Sequence, residues 1–293
     1  MVASAAVAGY VNVRQSYFAA YRKTMSDMEP PSANILQAFG TTQQPVSISG
    51  GQGQNYRSGN VILKPSEDDE ETNWVAEFYL SVDCEGFQLP RPIRTTQGNF
   101  VYNGWQAWEY VGGEHEKGRW DEIVEICVRF HQAIADYPRP AYFGRREQNP
   151  WVIADKVTWG EMEIVHHPRI APSVEKLTKC LDEVNEKSQL IHGDFGGNVL
   201  FSNPPTIIDF SPYWRPVEFA IGVIIADAVV WEGADISLME IGSRFNNFYQ
   251  HLARAELRRI LEIETLHELY GWEMLDQIDA HIPLIEAIVE RCN

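Results

Sequence analysis

The segment between residues 191 and 210 limits the possible folds of this chain more than any other. Its two ends, 191–201 and 206–210, contain short apolar runs that are typical of buried strands. Three side chains that carry oxygen atoms, Asp194, Asn198 and Asp209, lie within this segment. Carboxylate and amide oxygens at neighbouring strand ends can ligate a divalent cation and orient a proton acceptor. A second interpretation, in which these residues only form the turn of a hairpin, stays open on this motif alone.

Length and hydrophobicity indicate a globular protein. A chain of 293 residues with 44% hydrophobic residues can form one large domain or two lobes around a cleft. The longest apolar run, Phe219 to Trp231, is interrupted by Asp227 and is too short to span a bilayer. We expect it to be a helix buried in the core, and we expect no membrane partner.

The charge balance argues against nucleic acid and anionic lipid as partners. The chain has 24 Lys and Arg residues against 41 Asp and Glu residues, a formal net charge of −17. A field of this sign repels nucleic acid and anionic lipid, so neither is expected as a main partner. It favours a cationic small molecule, although acidity of this kind also serves solubility. An anionic nucleotide would need a local lysine, backbone N–H groups and a metal ion.

The spacing of the cysteines and the composition of the N-terminal segment both indicate in which cellular compartment the protein resides. The four cysteines show no C-x-x-C spacing, which argues against a zinc site and a disulfide framework and favours reduced thiols inside the cell. Residues 1–29 contain no acid before Asp27 but carry Arg14, Arg22 and Lys23. An N-terminal helix in a cytoplasmic protein is one interpretation, and an organellar transit peptide is the other.

A β-rich region is predicted to follow the N-terminal segment. Residues 45–49 and 60–64 have strand character, and the connection between them, 50–59, is rich in glycine. Without a Cβ, Gly51 and Gly53 would allow backbone N–H groups to approach phosphate oxygens closely. The pattern is not G-x-G-x-x-G and no helix follows it, so neither a Rossmann nor a Walker loop is predicted.

Lys64 ends the second of these strands, where an ammonium group could reach nucleotide phosphates. The next segment, 67–80, has helical character and carries several glutamates. Glu71 and Glu77 are two of them. The alternative for Lys64 is an exposed lysine at a strand end.

The remainder of the chain is predicted to be extended up to Val111 and mainly helical after Trp120. On the first helix, His131 lies on the apolar face and is expected to be a packed, hydrogen-bonded residue. Residues 138–173, with five prolines, are predicted to be an irregular insertion, and 173–187 a helix. Two or three amphipathic helices are expected over 236–293.

The motif H-G-D-x-x-x-N at 192–198, followed by I-D-F at 208–210, resembles the aminoglycoside phosphotransferase and choline kinase branch of the protein kinase-like superfamily. The resemblance covers roughly residues 45–235. It implies an α+β, two-lobed kinase-like fold. The expected parts are an N-terminal extension or helix (1–30), a small β-rich nucleotide-binding N-lobe (31–112) and a larger, mostly helical catalytic C-lobe (113–293).

The resemblance also implies an activity, an ATP-dependent transfer of the γ-phosphate to a substrate hydroxyl with Mg²⁺. Asp194 would accept the hydroxyl proton, Asn198 and Asp209 would hold Mg²⁺, and Lys64 would neutralise phosphate charge. A glutamate of the helix after Lys64 would steady this lysine; Glu77 is the predicted partner, and Glu71 is the rival candidate. His192, counted with the catalytic residues, is expected to brace the loop. The predicted nucleotide contacts are Gly51, Gly53, Lys64, Glu77, Glu109 and Val111, with backbone groups around Glu109 to Val111 meeting the adenine.

Two departures from the family pattern qualify these roles. Asn198 follows Asp194 by four residues where the family has five, and Ser211 stands where the family has glycine. The alternative function is therefore a catalytically degenerate kinase-like protein that binds a nucleotide or a partner without turnover.

Overall fold

In a computed structural model of the chain, which describes residues 29–48, 55–146 and 149–292, a five-stranded antiparallel sheet carries Lys64 on its third strand. The spatial order is β1-β2-β3-β5-β4. The strands are β1 (Val46–Ile48), β2 (Asn55–Ser58), β3 (Val61–Pro65), β4 (Val101–Tyr102) and β5 (Trp105–Glu109).

The tight turn between β2 and β3 corrects the sequence interpretation of this region. Ser58 pairs with Val61, so only two residues form the turn, and Gly59 has a φ of +64°, which glycine adopts without steric cost. Residues 55–58, predicted to lie in a glycine-rich connection, are therefore a strand. The tip of that connection lies outside the described residues.

One helix precedes the sheet in the chain, and one follows its third strand. Helix α1 spans Ala33–Ala38, and α2 spans Asp69–Ser81. The side chain of Asp68 accepts hydrogen bonds from the N–H groups of Glu70 and Glu71, which caps α2. The first turn also carries three acidic residues, whose negative charges stabilise the helix because they lie near the positive end of its dipole. The apolar face of α2 is buried.

The chain divides into two compact units. Of the described residues, the site unit comprises 29–48, 55–146 and 184–248, and the second unit comprises 149–183 and 249–292. In the site unit, β6 (Gln189–His192) pairs with β9 (Pro212–Arg215), and β7 (Val199–Leu200) pairs with β8 (Thr206–Ile207). The lobe boundaries predicted at residues 30 and 112 stay predictions.

The helical part of the chain is larger than the sheet. Helices α3 (Trp120–Ala133) and α6 (Val217–Trp231) pack together in the site unit, and α6 is the buried apolar helix that the sequence predicts. None of the described helices has the length and apolar character needed to cross a bilayer. The other helices are α4 (Pro150–Thr158), α5 (Ala171–Thr178), α7 (Met239–Gly242), α8 (Phe248–Tyr270) and α9 (Ile278–Cys292).

Two sequence expectations about the second unit are wrong. Within the supposed irregular insertion, α4 forms because the side chain of Asn149 accepts a bond from the N–H of Val152 and Pro150 occupies the first helical position. Helix α5 ends at Thr178 and not at Lys187. The carbonyls of Cys180 and Asp182 are instead bound by the side chains of Gln250 and Arg254 of α8.

Candidate active site

The loop after β6 brings Asp194 and Asn198 together. The N–H of Gly193 donates to the carbonyl of Ser211, which anchors the loop to the start of β9. A 3₁₀ turn, Gly196–Asn198, then leads into β7. The Nδ2 of Asn198 donates to the backbone oxygen of Asp194 at 2.6 Å and lies 3.3 Å from its Oδ2. The four-residue spacing therefore closes a compact loop in which the two side chains are neighbours.

Asn198 is also joined to the segment between β8 and β9 that carries Asp209. Its backbone oxygen accepts a 2.9 Å bond from the N–H of Ile208, the residue before Asp209. Since the amide nitrogen of Asn198 is engaged by Asp194, its Oδ1 is the atom suited to a cation. This atom and the carboxylate of Asp209 are hard oxygen donors, the ligand type that Mg²⁺ prefers, so the two residues could hold this ion.

Two buried histidines hold this loop. The Nε2 of His131 accepts from the N–H of His192 at 3.0 Å, while its Nδ1 donates to the carbonyl of Cys127 at 2.7 Å. His192 accepts from the N–H of Asp194 at its Nδ1 and donates from Nε2 to the carbonyl of Ile208. These partners require one ring proton on each histidine, so both rings are neutral.

Both histidine rings are therefore held in place by hydrogen bonds to backbone groups. His131 and His192 are almost completely buried, and burial lowers the pKa of His131 to about 3. His131 is the packed structural residue that the sequence predicts. His192, which the sequence groups with the catalytic residues, connects the Asp194 loop to the strand before Asp209.

Asp209 lies in a strained conformation opposite Lys64. Its φ of +50° is in the left-handed region, which costs a non-glycine residue roughly 1–3 kcal/mol. The Lys64 ammonium donates to the Oδ1 of Asp209, and about a fifth and a third of the two side chains are exposed. Burial lowers the pKa of Lys64 to about 8.

Phe210 fixes the position of Asp209. It is stacked on Phe78 of α2 at 4.8 Å between ring centroids and meets the His192 ring edge-on at 5.4 Å. It is also 5.7 Å from the ring of Phe130 of α3. One aromatic side chain thereby connects α2, the Asp194 loop and α3 next to the strained residue.

A cavity of about 400 Å³ lies beside the Lys64–Asp209 pair. This volume is within the range of small-molecule sites. Apolar side chains from the sheet, α2 and the strand before Asp209 form most of its wall, including Ile62, Val75, Trp108, Leu200 and Ile208. Glu71 and residues 109–111 complete the lining. The cavity thus combines an apolar wall with a charged end.

The segment 109–111 has one N–H group well suited to a ligand. The N–H groups of Glu109 and Tyr110 donate to the carbonyls of Arg91 and Asn60. The N–H of Val111 takes part in none of the hydrogen bonds recorded between described residues. Beyond this segment, Gly113 has a φ of +117°, and a Cβ there would lie 2.9 Å from the carbonyl oxygen of Phe201, so this close approach requires glycine.

The choice of Glu77 as the partner of Lys64 is corrected by the structure. Glu77 is an exposed residue that accepts a 2.7 Å bond from Arg94, and it does not line the cavity. Glu71, the rival candidate six residues earlier on α2, does line the cavity. Its carboxylate is bound by Arg146 and not by Lys64.

The outcome for the remaining predicted residues is mixed. Gly51 and Gly53 lie outside the described residues, so their approach to phosphate stays a prediction. Sequence reasoning missed Arg146, because its partner is 75 residues away and no local spacing signals the contact. It also missed the role of Phe210, although this residue follows directly after Asp209 in the recognised motif.

Comparison with protein families gives a match that contains the candidate site. The model of the phosphotransferase enzyme family, abbreviated APH, matches residues 47–213, which is more than half of the chain. This stretch contains Lys64, the Asp194 loop and Asp209. No curated protein sequence matches the chain significantly.

Solved structures with a similar fold are distant in sequence. A microcompartment-associated aminopropanol kinase is 16% identical with a TM-score of 0.57, over 89% of this chain and 98% of its own. A choline/ethanolamine kinase family protein from Mesorhizobium loti is 13% identical with a TM-score of 0.56, over 92% and 94%. A thermostable mutant of the aminoglycoside phosphotransferase APH(4)-Ia is 13% identical with a TM-score of 0.54, over 88% and 97%. The expected kinase-like α+β fold is therefore confirmed.

Proposed function

The chain belongs to the phosphotransferase enzyme family, and we propose that it transfers the γ-phosphate of ATP to a hydroxyl group of a small molecule in the presence of Mg²⁺. One observation carries this proposal. Lys64 and Asp209 meet at one end of a cavity that has a backbone segment, 109–111, in its wall, and the Asp194 loop is hydrogen-bonded to the strand leading to Asp209. Phosphoryl transfer requires this combination of positioning and charge neutralisation.

Different groups in the cavity are suited to different parts of a nucleotide. The apolar wall and the N–H of Val111 suit the adenine, and the Lys64 ammonium suits the phosphates. Asn198 Oδ1 and the Asp209 carboxylate would hold Mg²⁺, which neutralises phosphate charge when bound. Because the Asp209 carboxylate pairs with Lys64 in this structure, binding requires the two charges to separate.

Asp194 is the group that acts on the acceptor. Its backbone is fixed by His192 and Asn198, and the Asn198 amide lies beside its Oδ2. A carboxylate held in this way can orient the acceptor hydroxyl and take its proton, which typically contributes about 10²–10⁴-fold in rate. His192 orients this residue and remains neutral.

The acceptor is proposed to be a small amino alcohol. The aminopropanol kinase and the choline/ethanolamine kinase family protein carry names that refer to such compounds. The net charge of −17 would attract a cationic acceptor. Neither point depends on the identity of the nucleotide.

A direct assay tests the proposal. The chain would be incubated with Mg²⁺, γ-labelled ATP and a panel of aminopropanol, ethanolamine and choline, followed by a mixed metabolite pool. We expect label transfer to at least one hydroxyl compound, and no transfer with Asp194→Ala. If no compound is labelled by the intact chain under conditions where it binds ATP, the transferase proposal is wrong.

The second candidate is a protein that binds nucleotide without turning it over. The observation in its favour is the compact Asp194–Asn198 loop, in which the predicted metal ligand is hydrogen-bonded to the predicted proton acceptor. This candidate predicts ATP binding that is independent of Mg²⁺ and no label transfer by the intact chain. The same assay, combined with calorimetric titration of ATP with and without Mg²⁺, separates the two.

A further inference from the structure

Two cysteines meet in the second unit, where helices α5 and α9 pack together. Cys180 lies two residues beyond the end of α5, and Cys292 is the last residue of α9. The thiol of Cys292 has the side chain of Cys180 as a hydrogen-bond partner. Both are free thiols, and both are partly accessible to solvent. The two residues are far apart in the sequence, so no local spacing signals their contact.

Helix α8 holds the backbone around Cys180. The carbonyl of Cys180 accepts a 2.8 Å bond from Nε2 of Gln250, and the N–H of Asp182 donates to Oε1 of the same side chain at 2.7 Å. Arg254, one turn further along α8, donates to the carbonyl of Asp182 at 2.6 Å. The Sγ of Cys180 itself lies 3.4 Å from the carbonyl of Lys176. The position of the Cys180 sulfur is therefore set by a well-bound turn.

The end of α9 is bound by the neighbouring residue of α8. The Nη1 of Arg291 donates to the hydroxyl of Tyr249 at 3.1 Å, and the guanidinium lies 5.6 Å from the centre of that ring. Tyr249 directly precedes Gln250 in the sequence. Adjacent residues of α8 thus bind the backbone of Cys180 and the residue before Cys292, which keeps the two sulfur atoms as neighbours.

A disulfide between these sulfur atoms requires only a small movement. Sulfur atoms in hydrogen-bond contact have to approach each other by about 2 Å to reach the bond length of about 2.05 Å. Rotation of two partly accessible side chains between their χ1 rotamers can provide this approach. The backbones that carry the two cysteines can therefore stay in place.

The surroundings of Cys292 disfavour its thiolate. Burial, followed by the neighbouring Cys180, raises the pKa of the Cys292 thiol to about 11. The thiolate is the form of cysteine that attacks an oxidant, and near neutral pH Cys292 is almost entirely protonated. We therefore expect Cys180 to react first with an oxidant, and Cys292 to react with the product formed at Cys180.

We propose that Cys180 and Cys292 are a modification site, at which a peroxide forms a reversible disulfide that joins the end of α9 to the turn after α5. The Cys180 thiolate attacks one oxygen of hydrogen peroxide, the O–O bond breaks, and a sulfenic acid forms while hydroxide leaves and takes up a proton. The Cys292 sulfur then attacks the Cys180 sulfur, loses its proton and displaces the hydroxyl group as water. The two thiols lose two electrons in total, and the peroxide is reduced to two molecules of water. This inference does not depend on the proposed function.

The first test identifies the bond in the unaltered chain. The fully reduced protein would be treated with one equivalent of hydrogen peroxide near neutral pH, the remaining thiols alkylated, and the peptides analysed by mass spectrometry without reduction. We expect a peptide pair joined through Cys180 and Cys292, which dithiothreitol separates. Cys84, an exposed cysteine whose thiol donates to the carbonyl of Val82, is the internal control and should remain alkylated. Oxidation of Cys84 at the same rate, or cross-links of Cys84 that are as frequent, would overturn the inference.

The second test assigns the order of the two steps. Dimedone, which traps sulfenic acids, would be present during oxidation of the wild type and of Cys84→Ser, Cys180→Ser and Cys292→Ser. Cys292→Ser should accumulate about fivefold or more trapped Cys180 than the wild type, because no second thiol consumes the sulfenic acid. Cys84→Ser should trap as little at Cys180 as the wild type. Equal trapping at Cys180 in the wild type and Cys292→Ser would show that Cys292 does not react with the sulfenic acid and would refute the proposal.

Thermal unfolding shows whether the bond fits the fold. The oxidised wild type should unfold about 3 °C or more above the reduced protein, since a cross-link between distant residues lowers the entropy of the unfolded chain. Peroxide-treated Cys180→Ser and Cys292→Ser should show no such rise. A lower unfolding temperature of the oxidised wild type would mean that the bond distorts the fold, contrary to the inference. The first test uses the wild type alone and decides the inference even where a serine variant does not fold.

Discussion

The Lys64 ammonium and the Asp209 carboxylate form an ion pair that joins the central strand of the sheet to the turn before β9. The two residues are 145 positions apart in the sequence. Asp209 adopts a left-handed backbone conformation there, with Phe210 packed on α2. In the proposed reaction each charge has a different partner, a metal ion for Asp209 and phosphate oxygens for Lys64. The pair thus keeps two charges of the site compensated until a nucleotide separates them.

Replacing Asp209 with asparagine should impair the metal site. The change removes the charge of one predicted ligand while retaining its size, so we expect the Mg²⁺ concentration for half-maximal turnover to rise about tenfold or more. Turnover at saturating Mg²⁺ should fall about 10²–10³-fold. The measurement is phosphate transfer as a function of Mg²⁺ concentration. Glu116→Gln, at an exposed ion pair with Arg119, is the control. An unchanged Mg²⁺ dependence in Asp209→Asn would remove Asp209 from the metal site.

Replacing Asp194 with alanine should separate catalysis from nucleotide binding. Asp194 does not line the cavity, and its predicted partner is the acceptor hydroxyl. We expect turnover to fall about 10²–10⁴-fold, while the affinity for ATP with Mg²⁺ changes less than about threefold. Single-turnover transfer and calorimetric titration measure the two effects. A loss of ATP affinity parallel to the loss of rate would assign Asp194 to nucleotide binding.

The Asp194 loop and its neighbour Asp209 could be predicted from the sequence because the information is local. Short apolar runs flank the polar residues, and antiparallel strands close together in the chain pair with each other. His131 could be assigned as structural for a similar reason, since its position on the apolar face of a helix predicts burial.

The partner of the α2 glutamate could not be predicted in this way. Glu71 and Glu77 are both on α2, and the sequence does not specify which cation approaches from elsewhere. Arg94 approaches the exposed Glu77, and Arg146 approaches the less exposed Glu71 from 75 residues away.

Helix α4 could not be predicted because five prolines suggested irregular structure, whereas Pro150 at the first helical position does not destabilise the helix.

The free energy of unfolding should decrease as the pH is lowered, because His131 accepts a proton more readily in the unfolded chain than in the folded one. The folded pKa is lowered from 6.5 to about 3, chiefly by burial, so between these values the unfolded state binds the proton and the folded state does not. The contribution to stability is complete above pH 6.5 and is lost progressively toward pH 3. The full shift corresponds to about 4–5 kcal/mol.

Urea unfolding between pH 7 and 4 measures this loss. Because carboxylates also titrate below pH 5, the comparison is with His131→Gln, which should be less stable at pH 7 but lose less stability between pH 7 and 5. His267, whose Nδ1 lies 2.8 Å from the carbonyl of Trp272 in the second unit, provides a more exposed histidine control as His267→Gln. An equal pH dependence in wild type and His131→Gln would show that His131 does not resist protonation.

Phe210 should contribute both to folding and to the metal site. The ring is buried and contacts Phe78, His192 and Phe130, so Phe210→Ala should lower the free energy of unfolding by about 3–5 kcal/mol. Phe210→Leu keeps an apolar side chain and should cost about 1–2 kcal/mol of unfolding free energy.

The same substitutions should also affect the metal site. Because Asp209 is strained, loss of the neighbouring ring should let Asp209 relax away from its present conformation. The Mg²⁺ concentration for half-maximal turnover should therefore rise more in Phe210→Ala than in Phe210→Leu. Denaturant unfolding and Mg²⁺ titration of turnover measure the two effects on the same samples. If Phe210→Ala loses stability while its Mg²⁺ dependence stays at the wild-type value, the ring only fills the core and the strained conformation of Asp209 is maintained by the β8–β9 backbone.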